Sequence, residues 1–581
     1  MDIYANPTFY PVDASSLRTI WTQLDHSGIY MPLTYSVLAG LSSLSRLASA
    51  SGPLSTPSAG LFHALSVILH LVNTTLVFFV LGKLRQRIQG GPMSPSTLHW
   101  IATSGALLFA IHPVQVESVA RAGNIGIPLS TAFALATLLL YLFGFHSARS
   151  GVDRAFWYGG ATVLFLCALL ARPSMVALPI VAIILERAIY RSGWRAIGAR
   201  TAPWIVAATL LAAILFMKQI PSSHSAVAAV WRPLIALDSL GWYAGQSLWP
   251  AKLSIDHGRT PSTVTEDPLI WVRWLVPAGF LLACAATSGT SRKVLICSGS
   301  LFFVPLLPVC GILQTPAREN LSIVYDRHLY FPVIGLAFGF CYAVSRLIRD
   351  IRLVGTAVIL SFCAWRTHHQ IGVWKDSWAL FSDVLRQNPK SWYAMGWLGT
   401  MLTESGKHGE AIALLQKAVE LNPKNPDLRN NLGQALLLGG QIDRAEAELK
   451  AGLELNPKDP NVHYHLGRVA ETRNQFDEAA KYYRAAVKLL PTHVLAVSAL
   501  GGALLKSGAA ADAEAAFRKA IALSPATADA HRGLAEIYAS RQNWAEAFAE
   551  MTRACELAPQ VIQWRDQLRM YERAFQSSRA Q

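Results

Sequence analysis

Residues 392–561 repeat with a period of 34 and without insertion or deletion, and no other feature restricts the fold of this 581-residue chain as strongly. Five units begin at Trp392, Pro426, Pro460, Val494 and Ala528. Their seventh and eighth positions read Leu398-Gly399, Leu432-Gly433, Leu466-Gly467, Leu500-Gly501 and Leu534-Ala535. The twentieth position is always alanine (Ala411, Ala445, Ala479, Ala513, Ala547) and the thirty-second always proline (Pro423, Pro457, Pro491, Pro525, Pro559). A period of this length marks one supersecondary unit stacked on copies of itself. Small residues at positions eight and twenty let two antiparallel helices approach closely, and the proline ends the second helix before the next unit opens. The columns therefore predict five helix pairs forming an α-solenoid.

This pattern resembles the tetratricopeptide repeat. A half-built unit at 374–389 supplies only a second helix, with Phe381, Val384 and Pro389 in the matching columns, so 367–391 bridges into the repeats. Residues 562–581, with Trp564, Leu568, Met570 and Tyr571, are expected to cap the last pair. The resemblance implies a concave, protein-binding face built from the first helix of each unit. Tyr393, Asn430, Gln434, Tyr464, Arg468 and Arg532 are its candidate contacts, beside Asp427, Asn461, Asp529 and Glu536. A ladder of asparagines for clamping an extended backbone is absent. Only Asn431 occupies that column, against Trp397, His465, Ala499 and Gly533.

The remainder of the chain has a different character. Residues 376–581 hold 24 basic and 23 acidic residues; residues 1–375 hold 27 and 13, so nearly all of the net charge of +15 belongs to a charge-poor, apolar stretch. Charge placed this way excludes nucleic acid as the partner and points to a membrane domain followed by a soluble one. Ten apolar segments of spanning or near-spanning length occur at 61–81, 98–111, 125–145, 155–170, 175–189, 202–217, 269–287, 294–313, 329–347 and 353–365. Together they predict a polytopic helical bundle over 59–366.

Loop charge orients that bundle. One set of alternate loops holds Lys83, Arg85, Arg87, Arg149, Arg154, Arg187, Arg191, Arg195, Arg200, Arg292, Lys293, Arg346, Arg349 and Arg352, and is expected to be cytoplasmic. The opposite loops, the N-terminal 1–58 and the repeats are then extracytoplasmic. Within 1–58, the stretch from Asp13 predicts a capped amphipathic helix with Leu17, Ile20, Trp21 and Leu24 on one face. No signal peptide or spanning helix precedes it, from which the expectation is a start later than that of a complete chain. The seven cysteines form no CxxC or Cys/His cluster, so no metal site is expected and they read as small buried hydrophobes.

Several loop motifs are similar to those of the transmembrane and tetratricopeptide-repeat-containing O-mannosyltransferase family. His112-Pro-Val-Gln-Val-Glu-Ser-Val-Ala120 resembles its HPxxxESVA motif and Ala171-Arg-Pro-Ser-Met-Val-Ala-Leu-Pro179 its KPxxVxLP segment. Trp249-Pro-Ala-Lys-Leu-Ser-Ile-Asp256 and Asp326-Arg-His-Leu-Tyr-Phe-Pro332 resemble its WPxxLSxD and DRYLYxP segments. The resemblance implies a C-type glycosyltransferase fold, with an extracytoplasmic site moving a mannose-like sugar from a polyprenyl-phosphate donor to a protein hydroxyl, and no cofactor. Such chemistry needs an acidic base and cations for the departing lipid phosphate. Glu117 and His112 are the catalytic candidates; Arg327, oriented by Asp326, with Arg172 and Arg121, are the phosphate-binding ones. Two departures stand out. The acidic pair of the first outer loop has no counterpart, its neighbouring stretch surviving as Ile3-Tyr-Ala-Asn6-Pro7 just after Asp2, and the Arg-x-Asp that follows HPxxxESVA is replaced by Asn124-Ile-Gly-Ile127.

Two other functions fit parts of the pattern. A non-catalytic membrane scaffold would use the repeats alone to assemble envelope proteins. A transporter of lipid-linked sugar calls for internal symmetry or ionisable residues at the bilayer midplane, and neither is evident. Compact loops suggest a bacterial inner membrane with periplasmic repeats, or an endoplasmic reticulum membrane with lumenal ones in a eukaryote.

Overall fold

A computed structural model of the chain describes residues 14–22, 30–47, 59–89, 94–218, 229–311 and 322–580. Every regular element among them is helical, and they form two compact units, Met1–Pro389 and Lys390–Gln581.

All ten apolar segments lie wholly or largely in helices of the first unit. Six of these helices are long and apolar enough to cross a membrane: Ala59–Gln89, Ala122–Ser147, Gly151–Ala171, Pro173–Tyr190, Trp194–Leu215 and Gly289–Val309. The other four segments fall in Pro95–Ile111, Ile270–Ala286, Val333–Ser345 and Arg349–Val373. The 98–111 segment lies whole within its helix, whereas Pro332 confines the 329–347 segment to a helix that opens at Val333. Phe109, Tyr141, Phe165, Trp204 and Phe338 fill the core, while Val206, Leu210, Leu281, Leu282, Val354 and Val358 are exposed on the outside. So broad an apolar exterior suits lipid rather than water.

Close helix contacts follow from small residues. A Cβ on Gly335 would lie 2.3 Å from the Ser298 carbonyl and 2.7 Å from the Phe302 amide, so only glycine lets Val333–Ser345 touch Gly289–Phe303 backbone to backbone. The carboxylate of Glu186, fully buried, accepts from Tyr141 Oη at 2.5 Å, pairs with Arg200 and lies 3.4 Å from His146 Nε2. Those partners offset the cost of burying its charge.

Near the N-terminus the amphipathic helix runs Ala14–Thr22. Ile20 packs on Ala39, whereas Leu17 and Trp21 stay exposed; Leu24, Asp13 and the Asn6-Pro7 stretch lie outside the described residues. A second helix, Pro32–Leu47, is not anticipated by the sequence reading, and its Thr34 Oγ1 donates to the Ala171 carbonyl at 2.7 Å, directly beside Arg172.

The bridging helix Ser377–Gln387 is capped by Asp376, whose carboxylate accepts from the Ala379 N–H at 2.7 Å, and it packs within the first unit. The second unit holds the five helix pairs in register, from Trp392–Glu404 and His408–Leu421 to Ala528–Ser540 and Trp544–Leu557, followed by Ile562–Ala580. Position eight works sterically as the columns require. A Cβ on Gly399, Gly433, Gly467 or Gly501 would meet the facing Leu415, Leu449, Tyr483 or Phe517 at 2.5–2.7 Å.

The fifteenth position shows a further regularity. Gly406, Gly440, Asn474, Gly508 and Gln542, which turn the chain between the two helices of each pair, all have positive φ. Glycine adopts that conformation without steric cost and asparagine tolerates it, but glutamine does neither. Gln542→Gly is therefore expected to stabilise the second unit by about 1 kcal/mol, read as a higher midpoint in chemical denaturation; an unchanged or lower midpoint would show the turn is not strained.

Candidate active site at one end of the helical bundle

Four loops meet at one end of the first unit, at 112–124, 172–177, 249–259 and 322–332. In the first, Pro113 opens a tight turn and Val116–Ala120 follows as a single helical turn, which places Glu117 inward. Both Glu117 oxygens face Arg327: Oε2 accepts from its backbone N–H and Oε1 from Nη1, each at 2.8 Å. Glu117 is buried and Arg327 partly so, with 14% of its side chain exposed, and Arg327 also lies 3.8 Å from the centre of the Tyr325 ring. Burial alone would push the Arg327 guanidinium down, but the charge and hydrogen bond of Glu117, with Tyr325 and Tyr243, together outweigh it and raise the group.

Asp326 faces the other way. Its Oδ2 accepts from the Ser254 N–H at 2.7 Å and its Oδ1 lies 3.0 Å from His257 Nε2. Burial pushes this carboxyl up, His257 and the Ser254 N–H pull it back, and the like charge of Glu117 adds to the rise. Asp326 therefore anchors the 254–257 loop rather than orienting the Arg327 side chain, which Glu117 holds. His328, next in sequence, lies 3.0 Å from the hydroxyl of the fully buried Tyr243, which in turn accepts from the Tyr325 N–H.

Two cavities flank this arrangement. Arg172, Arg327 and His328 share a cleft with Thr131 and Ser174, whose remaining wall is apolar and includes Ile127, Met175, Val309 and Phe331. Ile127 belongs to the stretch that replaces the Arg-x-Asp, so this wall carries an aliphatic side chain at that place. Glu117, Asp326, Asp383, Ser254 and Gln370 line the second cavity, a narrow one. Because Glu117 borders one cavity and Arg327 the other, their ion pair joins the two.

The structure thus brings Glu117, Asp326, Arg327 and Arg172 together. His112 stands apart from both cavities. Its Nε2 donates to the Ser247 carbonyl at 2.9 Å, its Nδ1 is buried without a partner, and burial pushes the ring down to about 4, only partly offset by Ser247. It is a neutral tie between two helix ends. Arg121 ends the Val116–Ala120 turn and lines neither cavity. His328 and Asp383 border the cavities although the sequence does not single them out. His328 is marked only by its place beside Arg327, and Asp383 by nothing local.

In the second unit, Tyr464 lies against Tyr483 and His493, with ring centres at 5.8 and 5.4 Å, and interacts with Arg468. His465 is buried there, pushed down to about 4 by burial and then by the charges of Arg468 and His493. Asn430 is buried with its carbonyl oxygen unpartnered, and Gln434 is half-buried in the same helix. Arg532 is committed to Glu536 and to the Trp564 ring, at 5.8 Å. Tyr393 packs edge-on against Trp392.

Residues 374–426, 402–468, 460–493 and 498–562 match the Tetratricopeptide repeat family, and the second unit is built of these repeats. The chain is 31% identical over 131 residues to Protein O-mannosyl-transferase Tmtc2 of Drosophila melanogaster, covering 22% of the chain and 13% of that relative. It is 38% identical over 81 residues to Protein O-mannosyl-transferase F38B6.6 of Caenorhabditis elegans, covering 14% and 11%. The aligned stretches thus span only about an eighth of these curated relatives. Among solved structures, the tetratricopeptide protein TTC0263 of Thermus thermophilus shares 22% identity over 32% of the chain and 99% of its own, with a TM-score of 0.28. YrrB, a tetratricopeptide protein described as having an unusual peptide-binding site, shares 21% identity over 32% of the chain and 95% of its own, with a TM-score of 0.26.

Proposed function

We propose that the chain is a membrane glycosyltransferase that moves a mannose-like sugar from a polyprenyl phosphate to a protein hydroxyl on the extracytoplasmic side, its repeats recruiting the acceptor. One observation carries this reading. The cleft shared by Arg172, Arg327 and His328 sets a cationic polar group into an otherwise apolar wall, the combination a lipid-linked phosphate requires. In the transfer, the acceptor oxygen bonds the sugar anomeric carbon while the bond from that carbon to the phosphate oxygen breaks. The hydroxyl proton passes to Glu117, and Arg327 and Arg172 hold the charge on the departing lipid phosphate. Asp326 positions the 254–257 loop, and no cofactor takes part. The protein O-mannosyl-transferase relatives and the motif loops gathered at the site support the same reading. It is tested with the full chain in liposomes by following sugar transfer from a radiolabelled polyprenyl-phosphate mannose to a hydroxyl-bearing peptide; no transfer above a protein-free control would overturn it.

A second reading, a membrane scaffold without activity, draws on a different observation. Each carboxylate bordering the cavities is already engaged: Glu117 by Arg327, Asp326 by His257 and Ser254, and Asp383 by Arg386 and Gln387.

For location, we propose an inner or endoplasmic reticulum membrane with the repeats on the extracytoplasmic side. Exposed Trp249, Trp271, Trp274 and Trp365 stand at the site end of the bundle, and exposed Phe156 and Trp194 at the basic end, as two interfacial girdles do. Alkaline phosphatase fused after Gln581 and expressed in a bacterial host is expected to be active. An inactive fusion, together with activity of a reporter that works only in the cytoplasm, would reverse the orientation.

A further inference from the structure

We infer that the end of the bundle opposite the candidate active site binds the phosphate headgroup of an anionic phospholipid, through Arg85, Arg346 and Arg352. The inference rests on the first unit lying in a bilayer, not on the transfer reaction. Arg85 belongs to the Ala59–Gln89 helix and is only 8% exposed. Its Nε and Nη1 have no hydrogen-bond partner, and among the described residues no carboxylate lies within ion-pair distance of it. Its guanidinium rests over the Tyr342 ring at 5.3 Å, and the like charge of Arg346 bears on it. Arg352 is placed similarly, 4.9 Å from the centre of the Trp100 ring with its Nε buried and unpartnered.

A buried guanidinium without a counter-charge is costly, and a neighbouring arginine makes it more so. The three arginines surround the first turns of Pro95–Ile111, on Ala59–Gln89 and at the adjoining ends of Val333–Ser345 and Arg349–Val373. An anionic oxygen placed there neutralises the group. The surface beside it decides between a soluble anion and a lipid. Leu347, Ile348, Ile351, Leu353 and Val354, interleaved with the arginines, are all exposed, with Ile348 and Val354 at 69% and 64%. A ligand that satisfies both features carries a phosphate and acyl chains, as a phosphatidylglycerol does.

The test uses the purified full chain in a non-ionic detergent. Thermal unfolding is followed on adding dioctanoyl phosphatidylglycerol, dioctanoyl phosphatidylcholine or inorganic phosphate, for the wild type, Arg85→Gln and the double variant Arg346→Gln/Arg352→Gln. Phosphatidylglycerol is expected to raise the Tm of the wild type, the other two additions leaving it unchanged, and the variants are expected to lose that rise. The double variant alters exposed or half-exposed positions, so it decides the matter if Arg85→Gln does not fold. Equal shifts with phosphatidylcholine, or an undiminished phosphatidylglycerol shift in the double variant, would overturn the site. An equal shift with inorganic phosphate alone would overturn the lipid assignment.

Discussion

Arg327→Ala is expected to slow sugar transfer by about 10²–10³-fold and to lower the stability of the first unit by about 3–5 kcal/mol, the cost of breaking a largely buried ion pair from one side. The two effects have separable causes. Stability falls because Glu117 is stranded without the guanidinium that now meets its Oε1, keeping only the bond from the Arg327 N–H. Transfer falls because one of the two cleft arginines no longer holds the phosphate; loss of a single such electrostatic contact lowers kcat by about 10²–10³. The double variant Glu117→Gln/Arg327→Met removes both charges at similar volume. It should regain most of the lost stability while transfer stays slow. Arg172→Ala, at a half-buried position, should weaken donor binding with a smaller stability penalty. Chemical denaturation of the detergent-solubilised chain and the liposome transfer assay measure the two quantities on the same samples. If the double variant transfers sugar at the wild-type rate, neither Glu117 nor Arg327 belongs to the mechanism, and another acidic group must serve as the base.

What the sequence reveals of this molecule depends on how far apart in the chain the interacting residues lie. The repeats are legible because position eight meets a side chain of its own unit, Gly467 facing Tyr483 for instance, so each contact is written within one 34-residue period and then copied. The apolar segments are equally local, each lying wholly or largely in one or two consecutive helices. Their lengths as spans are less so, since Pro332 and an unwound turn shorten the 329–347 run to the helix Val333–Ser345. At the site the motifs identify the right loops but not their pairing. Glu117 reads equally as a free base or as half of an ion pair, and only the meeting of the 112–124 and 322–332 loops decides for Arg327. Nothing near Asp383 hints that its carboxylate borders the same cavity as Glu117, because that contact depends on how the bridging helix packs. Likewise, a lone His112 before a proline looks as reactive as any histidine until burial beneath the Ser247 carbonyl makes it neutral and inaccessible.

Asp238→Ala is expected to be among the most destabilising single changes in the first unit, at about 3–5 kcal/mol. Asp238 is fully buried on the Arg232–Leu248 helix, and its two oxygens accept from Arg259 Nη2 and, at 3.0 Å, from Arg273 Nη1. Asp267 completes the cluster, accepting from Arg273 Nη1 at 2.7 Å and from Arg259 Nη1 at 3.3 Å. Two cations and two anions therefore tie one helix to the loop at Arg259 and to the short helices Pro261–Glu266 and Ile270–Arg273. The alanine leaves two positive charges sharing one half-exposed carboxylate, whereas Asp238→Asn keeps the shape and both acceptor positions in part and should cost less. The cluster also sets an acid limit. Burial raises the Asp267 carboxyl, but Arg273, the Leu269 N–H and Arg259 together hold it below the usual carboxylate range. Its contribution is complete above about pH 4 and is lost as pH falls through the lower folded value. Denaturation midpoints of wild type and Asp267→Ala should accordingly converge in strong acid and separate above about pH 4. Parallel curves across that range would show that the four charges do not act together, and that the loop is held to the helix by its apolar contacts instead.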